Sequence, residues 1–300
     1  MLSIAYHPIY QLPLPKAHRF PMEKYDLLPK QLIHEGSCTS ADFFTPQKAL
    51  RSTIEAIHSP SYVQRLIDLE LTPQEVRKIG FPLSSRLIER ELIIAGGTVE
   101  GAEKALNHGI AMNIAGGTHH AFTDRGEAFC LLNDQAIAAQ HLLDQNLVKK
   151  ILIVDLDVHQ GNGTAEIFRQ HKDVFTFSMH GEKNYPFRKE VSDLDIGLAD
   201  GTEDEEYLSL LRETLPKLID QHCPEFIFYL CGVDVIATDK LGRLGLSIEG
   251  CKLRDEFVLK LCQSREIPIQ CSMGGGYSKD IRIILDAHAN TFRLAHDLYS

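Results

Sequence analysis

The stretch 151-ILIVDLDVHQGNG-163 begins with apolar residues and then places Asp155, Asp157 and His159 at alternate positions. A short, continuously apolar run that ends in a glycine-containing polar segment is typical of a strand buried on both faces of a parallel sheet. Carboxylates at the end of such a strand are costly to bury unless a partner neutralises them. A metal ion would do so, and the stretch therefore predicts both a buried strand and a metal site at its carboxyl end.

Similar apolar runs recur along the chain, and segments with helical periodicity lie between them. Strands are predicted over residues 110–115, 151–154, 174–177, 226–230 and 267–270, and helices over 91–106, 134–145, 204–219, 249–262 and 279–298. This alternation predicts an α/β fold with a mostly parallel central sheet and helices on both faces, in which sites form at the C-terminal strand ends. No linker or repeat divides the chain, so residues 1–300 are expected to form a single catalytic domain.

Composition excludes several classes of protein. The hydrophobic fraction of 44% is that of a globular chain, and the formal charge of −10 argues against direct nucleic-acid binding and mildly favours cationic partners. The sequence shows neither a secretory signal nor an apolar run long enough to span a membrane, so a cytoplasmic location is expected, with a nuclear or host-delivered one left open. Seven cysteines without a CxxC pair are expected to be reduced, mostly buried thiols.

Three further strands are predicted to end in polar or glycine-rich segments. These segments are "NIAGGTHHAF", "FIFYLCGVDVIATDKLG" and "IPIQCSMGGGY". Asp157, His159 and Asp234 form a plausible set of three ligands that leaves a position open, as catalytic metals require. The O,N,O donor set suits Zn²⁺ or Fe²⁺.

Two adjacent histidines and a tyrosine complete the predicted site. His119 and His120 follow a glycine turn and can supply a base for a metal-activated water. Tyr277, after three glycines, can donate a hydrogen bond to an oxyanion. By contrast, the acidic segment "DGTEDEEYLSLL" is expected to be structural, with Thr202 and Glu205 as a capping box at the start of a helix.

The motifs "AGGTHHAF", "GEAFCLLND", "VDLDVHQGNGT", "GVDVIATDKLGRLGLS" and "GGGY" resemble, in order and spacing, those of the histone deacetylase superfamily. The likeness runs from Tyr6 to about Tyr277. The segments "HRFPMEKY", "HQGNG" and "GTEDEEYL" look most like the class IV branch and its bacterial relatives. The resemblance implies the arginase/deacetylase fold.

The resemblance also implies roles for individual residues. The metal ligands fall on Asp157, His159 and Asp234. His120 is implied as general base and His119 as its electrostatic partner or acid. Tyr277 is implied as the residue that stabilises the transition state. Asp155 matches the carboxylate that orients His119, and Asn162 stands where the class I pattern has an Asp beside the second histidine, so His120 is expected to have the lower pKa of the two.

Further positions concern the substrate and a second ion. Phe129 and Tyr185 match the walls of an acyl-lysine tunnel, and Gly117 and Gly275 are expected to leave room for substrate beside the metal. A structural K⁺ is implied near Asp155, Asp157, His159 and Ser178.

The leading interpretation is a zinc-dependent amidohydrolase that removes acetyl or longer fatty acyl groups from lysine side chains of proteins or peptides. The alternatives are a deacylase of small acylated amines such as acetylpolyamines, an arginase-like ureohydrolase and a non-catalytic acyl-lysine reader. Thr118 disfavours the ureohydrolase, because it stands where a second metal would need an acid. The natural substrate, the choice between zinc and iron, and the oligomeric state stay open.

Overall fold

A computed structural model describes residues 2–16 and 18–299 of the chain. Eight strands form its central sheet: β1 (Ser3–Ala5), β2 (Phe43–Phe44), β3 (Ile110–Asn113), β4 (Ile151–Asp155), β5 (Val174–Gly181), β6 (Leu194–Leu198), β7 (Phe226–Leu230) and β8 (Ile269–Ser272). Their order is β2-β1-β3-β8-β7-β4-β5-β6, and every neighbouring pair is parallel. The predicted α/β fold with a parallel sheet is confirmed.

Ten α-helices are found in the described residues. They are α1 (Lys24–His34), α2 (Arg51–Glu55), α3 (Pro60–Ile67), α4 (Pro73–Ile79), α5 (Ser85–His108), α6 (Asp134–Asp144), α7 (Asn162–Phe168), α8 (Asp204–His222), α9 (Ile248–Ser264) and α10 (Ile281–Tyr299). Each of the five predicted helices coincides with one of these.

The helices cover both faces of the sheet because side chains alternate along each strand. Ile151 and Ile153 of β4 pack with alanines of α5 and α6. The intervening Leu152 and Val154 belong to a larger core that contains leucines of α8 and residues of α9 and α10. This two-sided burial explains why β4 is apolar at every position, as a parallel strand covered on both faces requires.

Element boundaries differ from the sequence prediction by up to six residues, since the helix predicted from residue 91 begins at Ser85, and the predicted cap of α8 is not formed. The capping box of Thr202 and Glu205 is wrong, because α8 begins at Asp204 after Glu203, and the Thr202 hydroxyl donates instead to the carbonyl of Ala199 at 3.0 Å. The acidic first turn of α8 is present, so stabilisation by the helix dipole still applies.

All seven cysteines are free, and only Cys223 is exposed, as expected. Within residues 2–16 and 18–299, no helix combines the length and apolar character needed to cross a lipid bilayer.

The sheet brings four strand ends together. The strands β3, β8, β7 and β4 lie side by side in that order. They precede the tandem histidines, the glycine turn, Asp234 and Asp157, respectively. Because all four run parallel, the residues that follow them meet at one edge of the sheet.

Candidate active site

A carboxylate–histidine triad lies at this edge. Asp157 and His159 follow β4, and Asp234 follows β7. One donor atom from each residue lies within 4.8 Å of the others, and all three side chains are buried. Two buried carboxylates beside one imidazole are the donor set that the sequence predicts for a metal.

The electrostatics of the triad favour a bound cation. Nδ1 of His159 lies 3.0 Å from Oδ1 of Asp157 and 3.2 Å from Oδ2 of Asp234. Burial would lower the pKa of His159, but the two carboxylates outweigh it and raise that pKa to about 10. Burial, reinforced by Asp157, raises the pKa of Asp234 to about 7. The cluster therefore gains from added positive charge, and a divalent ion would supply it.

Backbone amides hold the carboxylates in place. Oδ2 of Asp157 accepts from the amide of Gly275 at 2.9 Å, and Oδ1 of Asp234 accepts from the amide of Val158 at 3.0 Å. Oδ2 of Asp234 is buried without a well-aligned hydrogen bond in the described part of the chain. A Cβ at position 275 would lie 2.0 Å from that oxygen, so only glycine fits there. The triad thus offers an unsatisfied oxygen in a space kept clear of side chains, which fits a metal ligand.

The tandem histidines lie beside the triad with different partners. Nδ1 of His119 donates to Oδ2 of Asp155 at 2.7 Å, and Nδ1 of His120 donates to Oδ1 of Asn162 at 2.6 Å. Burial would lower the pKa of His119, but Asp155 outweighs it and raises that pKa. Burial and the imidazoles of His119 and His159 hold the pKa of His120 well below its usual value. These directions agree with the order that the sequence predicts, in which His120 is neutral and Nε2 can accept a proton.

Tyr277 is held in a turn by residues from two other segments. Oδ2 of Asp239 accepts from its backbone amide at 2.6 Å, and Nζ of Lys24 donates to the carbonyl of Gly274 at 3.0 Å. Lys24 is fully buried, and burial lowers its pKa to about 8. Burial and the carboxylates of the triad raise the pKa of the Tyr277 phenol, so it is a protonated donor.

The sequence patterns gave no role to either Asp239 or Lys24. Neither residue carries a local pattern that distinguishes it from an ordinary loop residue. Lys24 lies within the quoted "HRFPMEKY", so the segment that suggested the class IV branch also contained this positioning cation.

A cavity of about 440 Å³ opens above the triad, and His119, His120, Gly117, Gly275 and Tyr277 line it. Phe129 and Tyr185 also line it, where the sequence places the walls of a tunnel. The ring of Tyr185 meets that of His120 edge-on, with centroids 5.0 Å apart. Phe20, which no sequence motif pointed to, has its ring centroid 5.1 Å from that of Phe129 and 5.8 Å from that of Tyr277.

Two other predicted positions lie beneath the triad. Ser178 on β5 pairs in register with Asp155 on β4, and Oδ1 of Asp155 accepts from the amide of Asp157 at 3.2 Å. The four residues named for a monovalent ion therefore lie near one another: Asp155 on β4, Ser178 on β5, and Asp157 and His159 just after β4.

Thr118 is occupied by structural contacts. Its hydroxyl lies 2.5 Å from the carbonyl of Leu132 and 2.7 Å from Oδ1 of Asp134, just before and at the start of α6. It offers no carboxylate to a second ion, as the sequence analysis argued.

A parallel α/β sheet with a buried carboxylate–histidine triad and paired imidazoles at its C-terminal edge defines a class of candidate metallohydrolases. Residues 18–291 match the histone deacetylase domain family. The chain belongs to the histone deacetylase family, whose members are generally metal-dependent hydrolases.

The chain is similar to proteins from several kingdoms. It is 44% identical to an uncharacterized protein of Picosynechococcus over 99% of each chain. It is 32% identical to histone deacetylase clr6 of Schizosaccharomyces pombe, covering 91% of this chain and 70% of that one. A crystal structure of an HDAC homologue from Aquifex aeolicus, 22% identical, has a TM-score of 0.83 and covers 97% of this chain and 82% of that chain, and it shares the fold.

Proposed function

We propose that this chain is a zinc-dependent amidohydrolase that removes acyl groups from lysine side chains of proteins or peptides. The observation that carries the proposal is one cavity lined by Asp157, His159, the two imidazoles and Tyr277, with Asp234 buried beside the two ligands at its floor. Asp157, His159 and Asp234 would hold the metal. When bound, zinc would polarise the acyl carbonyl and lower the pKa of a water.

The protein's own groups divide the proton transfers between them. Because Nδ1 of His120 donates to Asn162, its Nε2 is the atom that takes a proton from the attacking water. His119, kept more basic by Asp155, is suited to hold a proton and to give one to the leaving lysine amine. The opposite directions of the pKa shifts in these adjacent imidazoles support one base and one acid.

Tyr277 and the aromatic walls would act on the substrate. The Tyr277 phenol would donate a hydrogen bond to the oxygen that gains negative charge as the tetrahedral centre forms. Phe20, Phe129 and Tyr185 would pack against the lysine methylenes and exclude water. A monovalent ion such as K⁺ beside Asp155 and Ser178 would steady the strand ends that carry the triad.

The acyl-chain range is a finer part of the same proposal. The motif likeness to class IV favours long acyl groups, and Gly117, Gly274 and Gly275 line the cavity without side-chain bulk. Each buried methylene would add about 0.8 kcal/mol of binding, less the cost of ordering the chain.

Metal content and turnover test the proposal together. Wild-type protein loaded with zinc should hydrolyse an acetyl- or acyl-lysine peptide, whereas Asp157→Ala and Asp234→Ala should lose metal and activity together. Asp220→Ala is a matched control, because this exposed acid at the end of α8 lies before β7, at the opposite edge of the sheet. Full zinc occupancy in either triad variant would overturn the ligand assignment.

A further inference from the structure

The mouth of the cavity is cationic although the chain carries a net charge of −10. Five basic residues line the cavity: Arg19, Lys78, Lys183, Lys240 and Arg243. Among the described lining residues the one acid is Asp157, which belongs to the triad at the floor. The local charge is therefore opposite to that of the molecule as a whole, and it reverses the expectation of cationic partners that the net charge suggests.

Most of these charges are uncompensated. Arg243 pairs with Asp200 at 3.2 Å, but the other four cations form no salt bridge with described residues. They come from separate parts of the fold: the segment before α1, the end of α4, the segment after β5 and the loop after β7. Unpaired cations from four segments surround the mouth, so an approaching substrate meets positive charge from several sides.

The basic surface continues away from the mouth in one direction. A neighbouring groove of about 580 Å³ shares Arg19 and Lys240 with the cavity. It adds Lys16, Arg86 and Lys279, and Glu23 is the one acid among its described lining residues. The continuous cationic surface is thus longer than a single acyl-lysine side chain needs.

An exposed aromatic residue lies among the lining residues as well. Phe187 is 87% exposed, and its ring lies 6.3 Å from that of Tyr185, centroid to centroid. A large apolar side chain left in water at the rim of a cavity is typical of a contact surface for a partner.

We propose that the acyl-lysine accepted by this cavity lies in an acidic segment of its protein or peptide substrate. The inference rests on the proposed lysine deacylase function and names its substrate class. Aspartate or glutamate residues flanking the acyl-lysine face Arg19, Lys183 and Lys240, and an apolar neighbour packs against Phe187. Complementary charge of this kind raises the encounter rate and repels partners of the wrong sign, here lysine- and arginine-rich segments and polyamines.

The test compares three fluorescein-labelled peptides that share a central acyl-lysine and differ only in four flanking residues, which are acidic, neutral or basic. For wild-type protein we expect kcat/KM for the acidic peptide to exceed that for the basic one by about tenfold at low salt, and the ratio to shrink at high salt as exposed charges are screened. The double variant Lys183→Glu/Lys240→Glu should remove or invert this preference. The control Lys150→Glu/Lys172→Glu makes the same charge change just before β4 and β5, at the opposite edge of the sheet, and should keep it.

Binding measured without turnover separates this inference from the proposed function. Fluorescence anisotropy with Tyr277→Phe protein reports the affinity for each peptide. Hydrolysis or binding that is equal for all three peptides, or best for the basic one, overturns the inference. Charge-dependent binding without hydrolysis by wild-type protein supports the docking surface and overturns the deacylase proposal. An equal effect of the control double variant would assign the preference to net charge and overturn the role of the rim.

Discussion

Lowering the pH should destabilise the fold through one buried histidine, His58, which lies between α2 and α3. The ring is 1% exposed, Nδ1 donates to the carbonyl of Phe122 at 2.9 Å, and Nε2 accepts from the amide of Asn133 at 2.9 Å. Asn133 in turn caps α6. His58 therefore ties down both ends of the loop that follows the tandem histidines, and it does so as a neutral imidazole.

The size of the effect follows from its titration. Burial lowers the pKa of His58 to about 4, against an unfolded value of about 6.5. Between these values the unfolded chain binds a proton that the folded protein does not, so stability falls as the pH falls through this window. The full loss is about 3 kcal/mol at pH values below 4, and about 2 kcal/mol is lost between pH 7 and pH 5.

Urea denaturation followed by circular dichroism at pH 7, 6 and 5 would measure this loss. His58→Gln and His58→Asn remove the titrating group, and each retains a different hydrogen bond, so both should be less stable than wild type at pH 7. Between pH 7 and pH 5, however, their free energy of unfolding should fall by about 2 kcal/mol less than that of wild type. Contributions from other groups, including metal release, are common to all three proteins and cancel in the difference. Parallel pH profiles for wild type and both variants would refute the reasoning.

Three further expectations concern the site itself. Tyr277→Phe should keep fold and metal but lower kcat by roughly 100- to 1,000-fold, the cost of removing one oxyanion donor; near-normal turnover would make it only a wall residue. Lys24→Met should lower kcat/KM, because the Gly274–Tyr277 turn loses its support. Its melting temperature should stay level or rise, since a buried cation with a depressed pKa costs stability at neutral pH. A lower melting temperature with normal kcat would contradict this. For one peptide carrying acetyl, octanoyl and myristoyl lysine in turn, kcat/KM should rise with chain length, and a steady fall would refute the long-chain hypothesis.

The strands that could be predicted are those buried on both faces. β3, β4, β5, β7 and β8 are buried at nearly every position because helices cover each side of them, and taken together their residues are predominantly apolar. The strands β1, β2 and β6 were missed for different reasons. β1 and β2 contain only three and two residues, and β6 lies at the sheet edge, where most of its side chains are partly exposed and the apolar run is interrupted.

The candidate site could be predicted where its residues follow those buried strands. Asp157, His159 and Asp234 each come shortly after an apolar run, so the topology alone brings them together. Lys24 and His58 could not be predicted, because their partners lie far along the chain and are brought near only by tertiary packing. The sign of the charge at the cavity mouth was also missed, since total composition averages over a surface on which Arg19 and Lys240 are locally concentrated.

The position of β8 has a consequence for how the protein is made. β8 is the last strand in chain order among the described residues, yet it lies in the middle of the sheet between β3 and β7. Without β8 the sheet divides into two groups of strands with unpaired edges: β2-β1-β3, which leads to the tandem histidines, and β7-β4-β5-β6, which leads to the metal triad. Open parallel edges invite pairing with other chains. We therefore expect a chain that has not yet been synthesised through β8 to expose both edges and to be prone to aggregation.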